Sequence, residues 1–173
     1  MIKKYRNIQG IDKIIIVVPE FYKNIKTIDN SIMILGGETR QQSVLNGLQN
    51  VETDKVMIME VVRPFATNEF ITKLLNTNGE YIVPYTTAIQ TIWHRDLPVN
   101  RNNIKEIQLP QIFNTKKLLF AHEIAKSKGL QYTDDSSLYY FQYFTQPTWV
   151  YGFRDNIKLT YKDDFKKEEL KLL

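Results

Sequence analysis

Apolar positions along this 173-residue chain come in two kinds of block. Continuous aliphatic runs mark strands, and runs with residues three and four apart mark helices. Ile14-Ile15-Ile16-Val17-Val18, closed by Pro19, is the clearest of the first kind, and suits a strand buried on both faces of a parallel sheet. A polar stretch around Asn24–Asn30 reads as a short helix and loop. Ile32, Ile34 and Leu35 form a second strand, followed by Gly36-Gly37 and a helix to about Asn50 with Val44, Leu45 and Leu48 on one face. Thr39, with Gln42 three residues on, is a capping-box pattern for that helix. Lys55 to Val62 reads as a third strand, and Thr67 caps a helix with Phe70, Ile71, Leu74 and Leu75 inward. Asn78-Gly79 makes a turn into a strand at Tyr81-Ile82-Val83. Strands alternating with helices predict an α/β domain with a mostly parallel sheet.

Residues 86–111 break the rhythm. Ile89 to Trp93 alternates like a half-exposed strand, Asp96–Asn103 is polar and turn-rich, and Ile104–Leu109 alternates again. This pattern predicts a protruding β-hairpin with too little core of its own to stand alone. It fits an arm packed on a second subunit, or a flap over its own domain. Asn114 then caps the longest amphipathic run, through Leu118, Ala121 and Ala125 to Gly129. Thr133-Asp134-Asp135-Ser136-Ser137 caps another helix, with Leu138 and Phe141 inward. Thr148–Tyr151 and Asn156–Thr160 read as short strands, and a charged helix closes the chain from about Lys162. No repeat, low-complexity stretch or linker divides the chain, so residues 1–173 are expected to form one domain.

Composition narrows the function classes. No run approaches the roughly 18 apolar residues of a membrane span, and the basic start Met1–Arg6 is not followed by an apolar signal core. The absence of cysteine removes disulfides and thiolate metal sites. The expectation is a soluble cytoplasmic protein. A net charge of +4 and a pI near 9.1 allow an anionic ligand, but Lys and Arg are interleaved with Asp and Glu, unlike a nucleic-acid footprint. His94 and His122 are far apart and lack metal partners in sequence, so surface or packing roles are expected for both.

In open parallel sheets, ligands gather where strands end. Gly36, Gly37 and Glu38 follow one strand, Glu60 and Arg63 another, and Lys158 sits near the end of a third. Two glycines there imply positive φ or close approach. The helix start beyond them leaves N–H groups suited to an anion or a base edge, though it equally fits an ordinary αβ turn. A carboxylate, an arginine and a lysine beside glycine amides suit a phosphorylated substrate. A solvated Arg-Pro turn and a plain loop around Lys158 are the simpler alternative.

The segment Gly-Gly-Glu-Thr-Arg-Gln-Gln-Ser-Val-Leu-Asn-Gly-Leu (36–48) resembles the signature of the methylerythritol-phosphate cytidylyltransferases and their ribitol-phosphate relatives, Gly-Gly-x-x-Arg-x-x-Ser-Val-x-x-Gly-Leu. Four further segments resemble that family in the same order: Glu60-Val-Val-Arg63-Pro64-Phe65, Arg101 through Pro110-Gln111-Ile-Phe113, Thr133-Asp134-Asp135-Ser136-Ser137-Leu138, and Asn156-Ile157-Lys158-Leu159-Thr160. The resemblance implies a Rossmann-like nucleotidyltransferase sheet and transfer of CMP from CTP, with Mg²⁺, to a polyol phosphate, releasing pyrophosphate. It carries an expected place in isoprenoid biosynthesis. It implies that Gly36, Gly37, Glu38 and Ser43 meet the nucleotide, with Glu60 and Arg63 at the junction with the substrate. Arg101 and Lys158 are the implied catalytic pair holding the attacking phosphate, and Thr133 is a further substrate contact. In the family the arm arginine enters a partner's site, so the 86–111 arm implies a homodimer.

The chain departs from the family in three places. Nothing in it matches the family's opening strand, its glycine-rich triphosphate loop with an arginine, or the following Pro-Lys-Gln. That strand is central in the family sheet, so Ile14–Val18 and Val56–Val62 are expected to lack their shared neighbour unless the sheet closes up differently. Glu60 stands where the family has Asp, and Leu109 replaces the Thr of Thr-Pro-Gln. The alternative expectation is therefore a truncated, inactive relative serving as a nucleotide-binding or dimerisation module.

Overall fold

The computed structural model describes residues 5–22 and 31–166. The polar stretch expected to form a short helix and loop lies almost wholly outside them, as does the end of the charged C-terminal segment. Within them, β1 (Ile14–Val18) and β2 (Ser31–Leu35) pair in parallel, Ile14 opposite Ser31 and Val18 opposite Leu35. The helix α1 (Arg40–Leu48) packs on this ribbon: a Cβ at Gly47 would lie 2.9 Å from a methyl of Val17.

The second sheet holds β3 (Lys55–Ile58), β4 (Tyr81–Thr87), β7 (Lys105–Ile107), β8 (Gln111–Asn114) and β9 (Thr148–Tyr151). The remaining strands, β5 (Ile92–His94) and β6 (Leu97–Val99), form a separate hairpin. Tyr85 faces Ile107 on one side and Tyr151 on the other, while Ile82 faces Ile112 and Thr148. So β7 and β8 lie on one edge of β4 as two halves of a returning strand, interrupted at Gln108–Pro110, and β9 lies on the other. That return runs antiparallel to β4 and, through β8, to β3. The expectation of a mostly parallel sheet is therefore corrected: only β1–β2 and β4–β9 are parallel. The physical reason is the connection. The segment after β4 folds straight back from the hairpin without a crossover helix, and a direct return produces antiparallel pairing.

No ladder joins the two sheets among the described residues; β1 pairs with β2 alone and β3 with β8 alone. The sheets meet instead through side chains, Ile14 and Met57 both packing on Tyr5, Ile8 and Ile71.

Three helices complete the layers: α2 (Asn68–Leu75), α3 (Thr115–Ser127) and α4 (Asp135–Tyr143). Their starts follow from side-chain caps. Thr67 Oγ1 accepts from Phe70 N at 3.2 Å and Asn114 Oδ1 from Lys117 N at 3.0 Å. Asp134 accepts from both Ser136 N and Ser137 N. Gly129, at φ +64°, turns the chain just past α3. One face of the main sheet buries Tyr81, Val83 and Phe113 against Leu118 and Tyr139, and the other buries Ile82, Ile112 and Val150 against Phe70 and Leu74. Two expected strands are revised. The third ends at Ile58 and gives way to a turn around Val61, and Asn156–Thr160 is not a strand but an irregular segment held by Leu159 N to Val62 O, 2.8 Å. Lys162–Lys166 is a single 3₁₀ turn. No helix of the described residues is long and apolar enough to cross a membrane.

Candidate active site

The glycine turn is built by close approach, not by positive φ, since neither Gly36 nor Gly37 is among the residues with positive φ. A Cβ at Gly36 would sit 2.8 Å from Ser43 Oγ, and one at Gly37 2.3 Å from Gln42 Cγ. Those two side chains fold back over the turn from α1. Gly37 N donates to Ser43 Oγ at 3.1 Å, and Glu38 N to Gln42 Oε1 at 3.1 Å. Thr39 caps α1 as expected, accepting from Gln42 N at 3.1 Å. The expected outward-facing amides at Gly37 and Glu38 are thus already occupied from within the chain. A base edge reaching them must take the place of Ser43 or Gln42, both on the same helix turn.

Arg40 opens α1 and leads from this turn to the acidic and basic rim. Its Nε donates to Glu60 Oε1 at 2.6 Å and its Nη2 to Asp135 Oδ2 at 2.8 Å. Asp135 is 1% exposed, and its other oxygen lies 3.0 Å from Nε2 of the equally buried His122. Burial opposes the Arg40 charge, but attraction and hydrogen bonds from Asp135 and Glu60 outweigh it and hold the guanidinium pKa above its ordinary value. The second oxygen of Glu60 lies 3.5 Å from Lys158 Nζ and has no hydrogen-bond partner. Arg63 donates from Nη1 to the Asn156 carbonyl at 2.8 Å; burial lowers its pKa against the pull of Glu60. So Lys158, distant in sequence, lies beside Glu60 and Arg63, and the glycine turn is linked to them through Arg40.

The five motifs are laced by buried polar contacts. Asn156 is 0% exposed and donates to the Leu109 carbonyl at 2.7 Å. Gln108 Nε2 donates to the Phe153 carbonyl at 2.9 Å, and Gln111 Nε2 to Asp134 Oδ2 at 3.1 Å. Asp134 is half-buried, which raises a carboxyl pKa, but hydrogen bonds from Ser136, Ser137 and Gln111 prevail and keep it below the usual range. Beside this lattice opens a cleft of about 260 Å³, with Arg63, Arg154, Lys158 and Asn156 on one side and Thr86 and Glu106 on the other. Three cations line it, which suits a phosphomonoester.

Not every expected residue arrives there. Arg101 lies on the 3₁₀ turn after the hairpin, exposed, and donates to the carbonyl of Ile89, a cleft residue; its own side chain does not line the cleft. Thr133 is exposed just before the α4 cap and lies outside the cleft lining. Sequence reading missed Arg154, Glu106 and Thr86 as cleft residues, and gave no role to Arg40, Asp135 or His122. Arg40 and Asp135 carried a signal, standing inside motifs already singled out. His122 carried none.

A divalent cation does not fit this rim as a protein-built site. No group of three or more His, Asp or Glu suited to a metal occurs among the described residues. Glu60, the carboxylate at this rim, is flanked by Arg40, Arg63 and Lys158, whose charges oppose a cation.

Comparison with known proteins agrees with this arrangement. The profile of the IspD family, 2-C-methyl-D-erythritol 4-phosphate cytidylyltransferase, matches residues 2–172. The chain is 32% identical over 158 residues to a bifunctional IspD/IspF enzyme of Nitratiruptor, covering 90% of this chain and 41% of that one. The chain thus spans about two fifths of the length of that relative. It is also 32% identical over 174 residues to a 2-C-methyl-D-erythritol 4-phosphate cytidylyltransferase of Actinobacillus pleuropneumoniae, covering 94% of this chain and 76% of the other. Among solved structures, the 4-diphosphocytidyl-2C-methyl-D-erythritol synthase of Anaerococcus prevotii superposes with a TM-score of 0.86 at 27% identity, over 95% of this chain and 80% of that chain. The chain belongs to the 2-C-methyl-D-erythritol 4-phosphate cytidylyltransferase family.

Proposed function

We propose that this chain transfers CMP from CTP to methylerythritol phosphate, giving the CDP-alcohol and pyrophosphate. The observation that carries the reading is a cleft lined by Arg63 and Lys158, whose Lys158 pairs with Glu60, itself one ion pair from the Arg40 that opens α1 after the glycine turn. An oxygen of the alcohol phosphate attacks the α-phosphorus of CTP, the bond to the β-phosphate oxygen breaks, and pyrophosphate leaves with that electron pair. Such a transfer gains most from fixed positive charge and alignment. Lys158 and Arg63, joined by Arg154, hold the attacking phosphate in line. Gly36, Gly37, Glu38 and Ser43 receive the cytidine side, with Ser43 exchanging its contact to Gly37 for one to the ligand. Glu60 stands between the two substrates. Any Mg²⁺ would be held by the triphosphate and water rather than by protein ligands, and would supply charge neutralisation there.

In this reading Arg101 acts across a homodimer. The hairpin supports that assembly: Trp93 is 62% and Leu97 72% exposed at its end, more apolar surface than a lone arm retains without a partner. A cytoplasmic setting belongs to the same reading. A second reading is a nucleotide-binding or dimerisation module without turnover. Ribitol phosphate is the rival acceptor.

CTP-dependent pyrophosphate release separates them. Release with methylerythritol phosphate and not ribitol phosphate supports the proposal, and preference for ribitol phosphate overturns the acceptor. No release with either, together with measurable CTP binding, favours the module.

A further inference from the structure

The rim contains a charge arrangement that the reaction above does not explain. Glu60 sits among three cations, yet makes its hydrogen bond to only one of them. Arg40 takes Oε1 at 2.6 Å, while Lys158 stays 3.5 Å from Oε2, an atom that is buried and has no hydrogen-bond partner. That oxygen is in an ion pair with Lys158 but makes no hydrogen bond, and an ammonium within such reach would ordinarily close to hydrogen-bond distance. Lys158 instead remains 49% exposed towards the cleft.

Arg40 is itself held from behind. Its other arm is fixed on Asp135, and Asp135 is fixed by His122 Nε2 at 3.0 Å, with both side chains no more than 1% exposed. Arg40, on the first turn of α1, is thus clamped by residues of α3 and α4. It has little freedom to follow Glu60 towards the cleft.

We propose that Arg40 is a positioning residue that holds the Glu60 carboxylate at ion-pair distance from Lys158, short of a hydrogen bond, and so keeps the Lys158 N–H donors available to an incoming phosphate. The inference rests on the cleft being the phosphate site, as in the function above. Without Arg40, Glu60 loses its hydrogen bond and closes on Lys158, which then meets phosphate with its donors already engaged. Asp135 and His122 act one step further back, by setting the direction of Arg40.

The experiment uses the whole chain and inorganic phosphate, the group shared by all candidate acceptors, with binding followed by NMR titration at low salt. R40M is expected to weaken phosphate binding about tenfold, and D135N about threefold, because losing a charge partner costs of that order. E60Q removes the competing charge, so R40M in the E60Q background is expected to change binding less than twofold. R40K keeps the charge without the two-armed contact and is the second variant should R40M fail to fold; its expected weakening is about threefold. Unchanged binding in both R40M and R40K overturns the inference. So does an R40M loss equally large in the E60Q background, which marks a merely structural effect. No phosphate binding by the wild-type chain also overturns it. Phosphate binding without turnover of any polyol phosphate overturns only the proposed function.

Discussion

Two strands announced in sequence by apolar runs, Ile14–Val18 and Tyr81–Val83, end in different surroundings. β4 buries Tyr81, Ile82 and Val83 almost completely, with β7 and β8 on one edge, β9 on the other, and helices on both faces. β1, an unbroken Ile-Ile-Ile-Val-Val, has no buried residue and one pairing strand. Burial is a property of neighbours, not of the run itself, and a strand with one paired edge cannot reach the core density of one with two. The division passes through the candidate site. The glycine turn and α1 belong to the ribbon; Glu60, Arg63 and Lys158 belong to the main sheet, and the Arg40 bridge spans the seam.

This contrast predicts graded effects. The largest is Ile82→Ala in the fully buried strand, expected to cost about 4 kcal/mol in denaturant unfolding. A cost near that of a surface change would refute the picture of β4 as the core. Next comes Lys158→Met on the sheet side, expected to lower kcat/KM for the polyol phosphate by about a hundredfold with little change in KM for CTP. Equal loss for both substrates would place Lys158 on the nucleotide instead.

Asp134→Ala is expected to cost about 1.5 kcal/mol at neutral pH through loss of the α4 cap. Because hydrogen bonds depress the folded-state pKa of Asp134, its stabilisation is complete above the unfolded carboxyl range and fades as pH falls through the folded value. The gap between wild type and variant should therefore close below about pH 4. A gap that persists there would show that charge is not what the cap supplies. The smallest effect is Ile16→Ala in β1, about 1 kcal/mol at most, since a half-buried side chain loses only part of its contacts. A cost matching Ile82→Ala would erase the difference between the two regions.

Much of this organisation was readable from residue patterns. Caps at Thr39, Thr67 and Asn114 announce α1, α2 and α3, because one side-chain oxygen three residues before an amide suffices to start a helix. A gathering of Glu60, Arg63 and Lys158 was expected from strand ends meeting at one rim, but Lys158 reaches Glu60 from an irregular segment and not from a strand end. The direction of the return strand was not readable, because nothing in Lys105–Asn114 encodes whether it arrives by a crossover or a hairpin. Asn156–Thr160 alternates like a strand, yet is held instead by the buried Asn156 side chain and a lone bond to Val62. The occupied amides at Gly37 and Glu38 were hidden because Ser43 and Gln42 read as ordinary helix residues until their side chains are seen folded over the turn. His122 was invisible as a charge partner, since Asp135 lies on another helix.

The central claim is that the seam between ribbon and sheet receives CTP on one side and methylerythritol phosphate on the other. Pyrophosphate release measured with both substrates, and with each omitted in turn, tests it most directly. The account predicts release only when both are present, and its loss in Lys158→Met. Release without the alcohol phosphate, or undiminished release from Lys158→Met, would contradict it.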